Sequence, residues 1–519
     1  MKIMKWEWVS VVAISLLVAL AMPVGVAAQG NAAQKHNGMH HHYKLVVVGT
    51  FGGPTGSYWD NLSNVSVLNP RGSTVGGADT LTADPFSPTY WWSNGLVQHA
   101  FLRHDGSLID LGSLPGTNNS MSTWITPNEL VAGFSENGQI DPVVPDFPEI
   151  HAVLWSNGNM TDLGGLPQGG YESEANSMNS RGQVVGAATN LVPDSNSMIQ
   201  GNFALWNLAY PYQSRAFVWD QQNGMRDLGT LGTGTDAEAT LINENGQAVG
   251  HSYTSSAPGA CPTPGYILAT STFIWDENHG MKDIGSFGGT CTFAQDLNNR
   301  DQIVGQSYLS GDQAAHAFRW DHAHGLKDLG TLGGSFGGAN AINEKGAVAG
   351  WGKLTGDTTT HAALWRRPGQ AIDLGTIDND PCSVAMGLND ETQVVGISAL
   401  SDCQTYNDAR PFLWEHGSLV DLNDLIPSNS PLRLVYVYQI TQSGEIAGNG
   451  WDTSSNEHAF LLIPCDEGHP GVQGCDYSLV DATARQSPAT RYLPGEMQRM
   501  PRAGRIGRVV SQTETAGRR

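Results

Sequence analysis

Positive charge is scarce in this chain. Lys and Arg number 27 against 49 Asp and Glu, for a formal net charge of −22. Such a surface repels phosphate backbones, which excludes nucleic acid as the partner of the body. Charge of either sign is thin, at 15% of residues, while glycine is plentiful, at 63. That combination excludes a mainly helical protein and fits a turn-rich, all-β one. Beyond the first 28 residues no apolar run is long enough for a transmembrane span. Cysteine is limited to six residues, never in CxxC spacing, which argues against a zinc site. An HExxH pair and a Walker loop are both missing. No cofactor and no metal are expected.

What is present begins with an address. Lys2 and Lys5 precede an apolar run over 9–21 that ends before Pro23, with small residues up to Ala28. This reads as a secretory signal, 1–28, cleaved after Ala28, so the protein is expected to be secreted, extracellular or periplasmic. Export makes disulfides admissible. Proximity in sequence pairs Cys261 with Cys291, Cys382 with Cys403 and Cys465 with Cys475, among fifteen arrangements open to six cysteines. A His-rich leader, 29–42, with His36, Met39, His40, His41 and His42, is expected to be mobile and polar rather than metal-binding. At the other end a disulfide-clipped extension, 464–485, leads to a basic tail, 486–519, expected to be disordered.

Between these ends the sequence repeats. A DLG element starts at Asp110, Asp162, Asp227, Asp283, Asp328, Asp373 and Asp421, with a further copy where Val47 takes the place of Asp. An HAF element starts at His99, His151, Arg215, Ser271, His316, His361, Arg410 and His458. Between them lie Asn-x-x-Gly turns such as 179–182 and 243–246, flanked by alternating apolar residues. Period-2 patterning broken by Asn and Gly makes four short strands per unit. The chain opens on a DLG-type strand and closes on an HAF-type strand, so one unit is split between the termini. Only a closed ring has a use for that offset. The expected fold is a β-propeller over 43–463 of four-stranded blades, eight of them, or seven if one degenerate unit is not a blade. Strand 44–50 should pair with the strands of 437–462.

The linked motifs HAFRW and DLGTLGG, at 316–320 and 328–334, and INENGQAVG, at 242–250, resemble the extracellular repeat family named for its His-Ala-Phe triplet. The resemblance covers about 43–463; Arg215, Ser271 and Arg410 depart from it at the His position. It implies an exported bacterial repeat protein and brings no activity with it.

The recurring pairs His99–Asp110, His151–Asp162, His316–Asp328 and His361–Asp373 contain the groups of a general base. Yet Arg replaces His in two copies, and Arg cannot act as a base, so the pairs are expected to be structural. The Trp residues at a fixed phase of the HAF strand, 155, 219, 275, 320, 365 and 414, are read as core. Function is sought where the repeat is broken. Four insertions, 78–98, 134–150, 187–214 and 251–271, all fall between the second and third strands of a blade and so share one face. They carry Tyr90, Trp91, Trp92, Trp206, Tyr210 and Tyr212, residues suited to stacking on sugars or anchoring a protein. Asp141, Asp146, Glu149, Glu172 and Glu174 lie nearby, and spacing selects no pair among them for glycoside chemistry. The function expected is a monomeric, non-enzymatic scaffold binding a carbohydrate or protein ligand. An extracellular polysaccharide hydrolase or lyase is the alternative, and a structural envelope component the third reading.

Overall fold

A computed structural model describes residues 38–58, 65–86, 94–116, 118–143, 145, 147–198, 211–255, 261–263, 268–400 and 409–481. They form an eight-bladed β-propeller. Blade two shows the plan: Ser120–Ile125 is the inner strand, followed by Val131–Ile140, Pro148–Ser156 and the outer strand Asn159–Gly164, all antiparallel. Blade eight takes Arg433–Ile440, Ile446–Trp451 and Glu457–Pro464 from the carboxyl end and its outer strand, Tyr43–Val47, from the amino end. The expected split blade is therefore present, with the outer strand at 43–47 rather than 44–50. Its hydrogen-bonded ladder ends there because Gly49, at φ +103, turns the chain toward blade one.

The ring closes between blades eight and one. Gly56 pairs in parallel with His458, and the Gln439 amide brackets Leu68, donating to its carbonyl at 2.9 Å and accepting its N–H at 3.0 Å. The hairpin registers follow the sequence reading: Trp155 opposes Met160, Val153 opposes Asp162, and Phe412 opposes Asp421.

Each motif has a packing cause. The HAF phenylalanines Phe101, Phe217, Phe273, Phe318, Phe412 and Phe460 are all fully buried, and each lies opposite the glycine of the preceding strand. At Gly250 a Cβ would overlap the carbonyl oxygen of Glu238 and touch the Phe273 ring. Inner and second strands thus approach more closely than any side chain allows. Gly250→Ala is expected to destabilise the protein by about 1–3 kcal/mol, seen as a lower unfolding midpoint. An unchanged midpoint would contradict this packing.

The turn asparagines join blade to blade. Asn179 Nδ2 donates to Asn243 O, Asn243 to Asn298 O, Asn298 to Asn343 O, Asn343 to Asn389 O and Asn389 to Thr441 O, at 3.0–3.3 Å. Their side-chain oxygens meanwhile accept N–H groups within their own turns, as Asn179 does from Arg181 and Gln183. A belt of hydrogen bonds therefore runs round one rim of the ring. It is the reason for Asn rather than any turn former.

Two features of the termini differ from expectation. Met39–His41 is a strand paired with Leu479–Asp481, and His40 is buried with Nδ1 3.0 Å from Glu415 Oε1. This part of the His-rich leader is docked, not mobile, because its backbone and one imidazole find partners on blade seven and the carboxyl extension. Beside it Cys465 and Cys475 form a disulfide, as do Cys261 and Cys291. Cys382 is also disulfide-bonded, and Cys403 lies outside the described residues. Among the described residues no helix is long and apolar enough to cross a membrane.

Candidate functional site

The recurring pairs sit between the third and outer strands. His99, His151, His316 and His361 place Nδ1 at 2.8–3.0 Å from Asp110, Asp162, Asp328 and Asp373. Each Asp also accepts the N–H of the glycine two residues on, at Gly112, Gly164, Gly330 and Gly375. Burial would raise the carboxyls of Asp110, Asp162 and Asp328, but the imidazole and N–H contacts outweigh it and hold them below the ordinary range. Arg215 takes the same place against Asp227 at 3.0 Å, and the Ser271 hydroxyl donates to Asp283. Arg410 instead turns to Asp380 at 2.6 Å and Asp378 at 2.9 Å, leaving Asp421 4.0 Å away. Burial then pushes the Asp421 carboxyl up to about 6. In blade eight, where Val47 replaces the Asp, His458 reaches Asp452 through Nε2 at 3.2 Å.

The insertions lengthen the hairpins between second and third strands. In blades one to three the second strands run Thr74–Ala83, Val131–Ile140 and Val184–Pro193, rising past the ring on one face. Each ends at an aspartate, Asp84, Asp141 or Asp194. Their N–H groups close the hairpin on Gly95 O, Phe147 O and Pro211 O at 2.8–2.9 Å. Their Oδ1 atoms accept the N–H of Phe86, Val143 and Asn196 at 2.7–2.9 Å. Local turn chemistry fixes all three.

Opposite these aspartates stand the first residues of the next blade's inner strand, Asn119, Glu172 and Asp236. Each accepts an N–H from the start of the preceding third strand, at Gln98, Ile150 and Ser214, at 2.8–2.9 Å. In the first case a second carboxylate arrives from another direction. Glu136 Oε2 accepts the Asn119 N–H at 2.7 Å, and Asn119 Nδ2 lies 3.1 Å from Glu136 Oε1 and 3.4 Å from Asp84 Oδ2. Burial pushes Glu136 up to about 7; the Asn119 hydrogen bonds oppose the rise and the Asp84 charge adds to it. Asp84 is half-buried, the member of the pair at the surface.

A carboxyl raised by burial and a half-buried one thus share one amide nitrogen. Pairs whose environments drive their proton affinities apart can divide acid and base roles. The touching oxygens are no farther apart than the two contacts laid end to end. That bound falls at the lower edge of the about 6.5–9.5 Å separation of inverting glycosidases, and the about 5–5.5 Å of retaining ones lies inside it.

Of the expected ligand-binding aromatics, Tyr90, Trp91, Trp92, Trp206 and Tyr210 lie outside the described residues. Tyr212 opens the third strand of blade three, half-buried and opposite Pro193. Among the carboxylates, Asp141 and Glu172 are fully buried, Glu174 nearly so, and Glu149 accepts from Asn137 at 2.8 Å; Asp146 lies outside the described residues. Sequence reasoning missed both Asp84 and Glu136. A signal was available for Glu136: three residues past the strand glycine the repeats carry Asp79, Glu136, Thr189, Tyr253, Tyr308, Lys353, Ala399 and Trp451. The residue there changes from copy to copy while the glycine does not.

No family model and no curated protein sequence matches the chain. Solved structures do. The β-propeller domain of the Trilobed protease from Pyrococcus furiosus is 11% identical at a TM-score of 0.37, covering 71% of this chain and 99% of its own. Porphyromonas gingivalis dipeptidyl peptidase 4 is 8% identical at 0.40, over 79% of this chain and 64% of that one. Trypanosoma rangeli sialidase in complex with the inhibitor DANA is 8% identical at 0.32, over 81% and 59%. The chain thus spans less than two-thirds of the last two. At these identities the likeness concerns the propeller fold. The expectation of a non-enzymatic scaffold finds no support among them: these three neighbours are a protease propeller, a peptidase and a sialidase.

Proposed function

We propose that this chain is an exported polysaccharide hydrolase in which Glu136 and Asp84 are the acid/base pair. The observation that carries the reading is the pair itself: a buried carboxyl pushed up to about 7 and a half-buried one, bridged by Asn119 on the face that bears the insertions. With its carboxyl pushed up to about 7, Glu136 can give a proton to the leaving oxygen near neutral pH, while Asp84 stabilises or attacks the sugar carbon from the surface. Hydrolysis is favoured over a lyase reaction because two carboxyls meet, where β-elimination asks for one base. Tyr90, Trp91 and Trp92 follow Asp84 closely in the chain, and their rings suit stacking on sugars. The amino-terminal signal, the disulfides and the resemblance to the His-Ala-Phe repeat family support an extracellular or periplasmic place of work.

The test is release of reducing ends from a panel of neutral and acidic polysaccharides by the full mature chain, beside Asp84→Asn. Release by the parent, lowered about 10²-fold or more in the variant, is the expected result. Unsaturated products would move the reading to a lyase. No release from any polymer by folded protein would sink it.

A further inference from the structure

We propose that the long hairpin of blade two is latched to the following blade by a proton shared between two buried carboxyl groups, Asp141 and Glu172, and that rising pH releases it. The inference does not depend on the hydrolytic reading.

The geometry comes first. Asp141 and Glu172 are both 0% exposed and face each other, and one oxygen of each, Asp141 Oδ2 and Glu172 Oε1, receives no hydrogen-bond donor among the described residues. One oxygen of each is committed to a backbone N–H, Glu172 Oε2 to Ile150 at 2.9 Å and Asp141 Oδ1 to Val143 at 2.7 Å. Neither carboxylate has a hydrogen of its own to give, so a hydrogen bond between them exists only while one is protonated. It joins the tip of the blade-two hairpin to the first residue of the next inner strand.

The charges around these groups do not relieve them. Glu149 faces Glu172 as a third acid, itself held by Asn137. The nearest basic group along the third strand, His151, is spoken for by Asp162. Burial first, and the facing acids after it, raise Glu172 well above an ordinary carboxyl. The folded form therefore binds protons that the unfolded form has released. The stabilisation is complete below the ordinary carboxyl range. It is lost as pH rises through the raised range of Glu172.

Hydrogen exchange of the full mature chain at pH 5 and pH 8, corrected for intrinsic rates, reads the latch directly. Peptides of 131–143 and 147–156 should lose at least about 10-fold in protection at pH 8, while those of 333–365, in blade six, keep theirs. Glu172→Gln keeps the acceptor for Ile150 and supplies a permanent N–H to Asp141. It should make the blade-two hairpin indifferent to pH. Asp141→Asn is the second variant, with the same expectation, should Glu172→Gln fold poorly. Equal protection of the parent hairpin at both pH values overturns the proposal. So does a variant whose blade-two hairpin keeps the parent's pH dependence.

Discussion

Glu136→Gln is expected to cut polysaccharide hydrolysis by about 10²–10⁴-fold, the range set by loss of a general acid. The amide matches the carboxyl in shape but has no acidic proton. It still offers an oxygen to the Asn119 N–H, which reaches Glu136 at 2.7 Å in the parent. Its new donor faces Asn119 Nδ2, so one hydrogen bond is spoiled, a cost of about 0.5–1.5 kcal/mol. A cooperative unfolding transition at nearly the parent midpoint should accompany the lost activity. In the parent, activity should decline as pH rises through about 7, because the Glu136 proton leaves there. A Glu136→Gln enzyme that keeps parental rates would remove Glu136 from the chemistry.

Deleting residues 38–47 is expected to abolish cooperative folding. The deletion strips the outer strand from blade eight, where Val47, Leu45 and Tyr43 pair with Phe460, Leu462 and Pro464. Tyr43 is buried, and Leu45 and Val47 pack on the same apolar cluster as Leu425, Ile446 and Leu462. Each such side chain contributes about 1.5–3 kcal/mol on burial, and an exposed apolar strand edge invites aggregation. Several of these losses together rival the about 5–15 kcal/mol that holds a typical domain. Appending residues 38–47 after residue 481 of the truncated chain, through a flexible linker, should restore a sharp thermal transition. A truncated chain that stays monomeric and melts cooperatively would show that the ring does not need its closing strand.

Much of this ring is legible in the sequence because the fold repeats local rules. The offset of motifs between the termini gives the split blade, and the two-residue turn at 157–158 gives the pairing of Trp155 with Met160. Disulfides closing short loops, such as Cys465 with Cys475, follow from proximity. What escapes is contact between blades. Asp84 and Glu136 belong to different hairpins and meet only through Asn119. His40 finds Glu415 across 375 positions of chain, joined by a strand pairing that Met39–His41 makes with the far terminus. A missing local motif does not by itself mean missing chemistry, since a site assembled across blades leaves no spacing along the chain. The turn asparagines were visible as turn formers, but their side-chain bonds to the next blade were not.

The most direct test of the account is the anomeric configuration of the first-formed product, followed by proton NMR during hydrolysis of a responsive polysaccharide. Carboxyls held closer together than the inverting range leave no room for a water between sugar and base, so the configuration of the cleaved bond should be retained. Inversion at that carbon would contradict the pairing of these two groups.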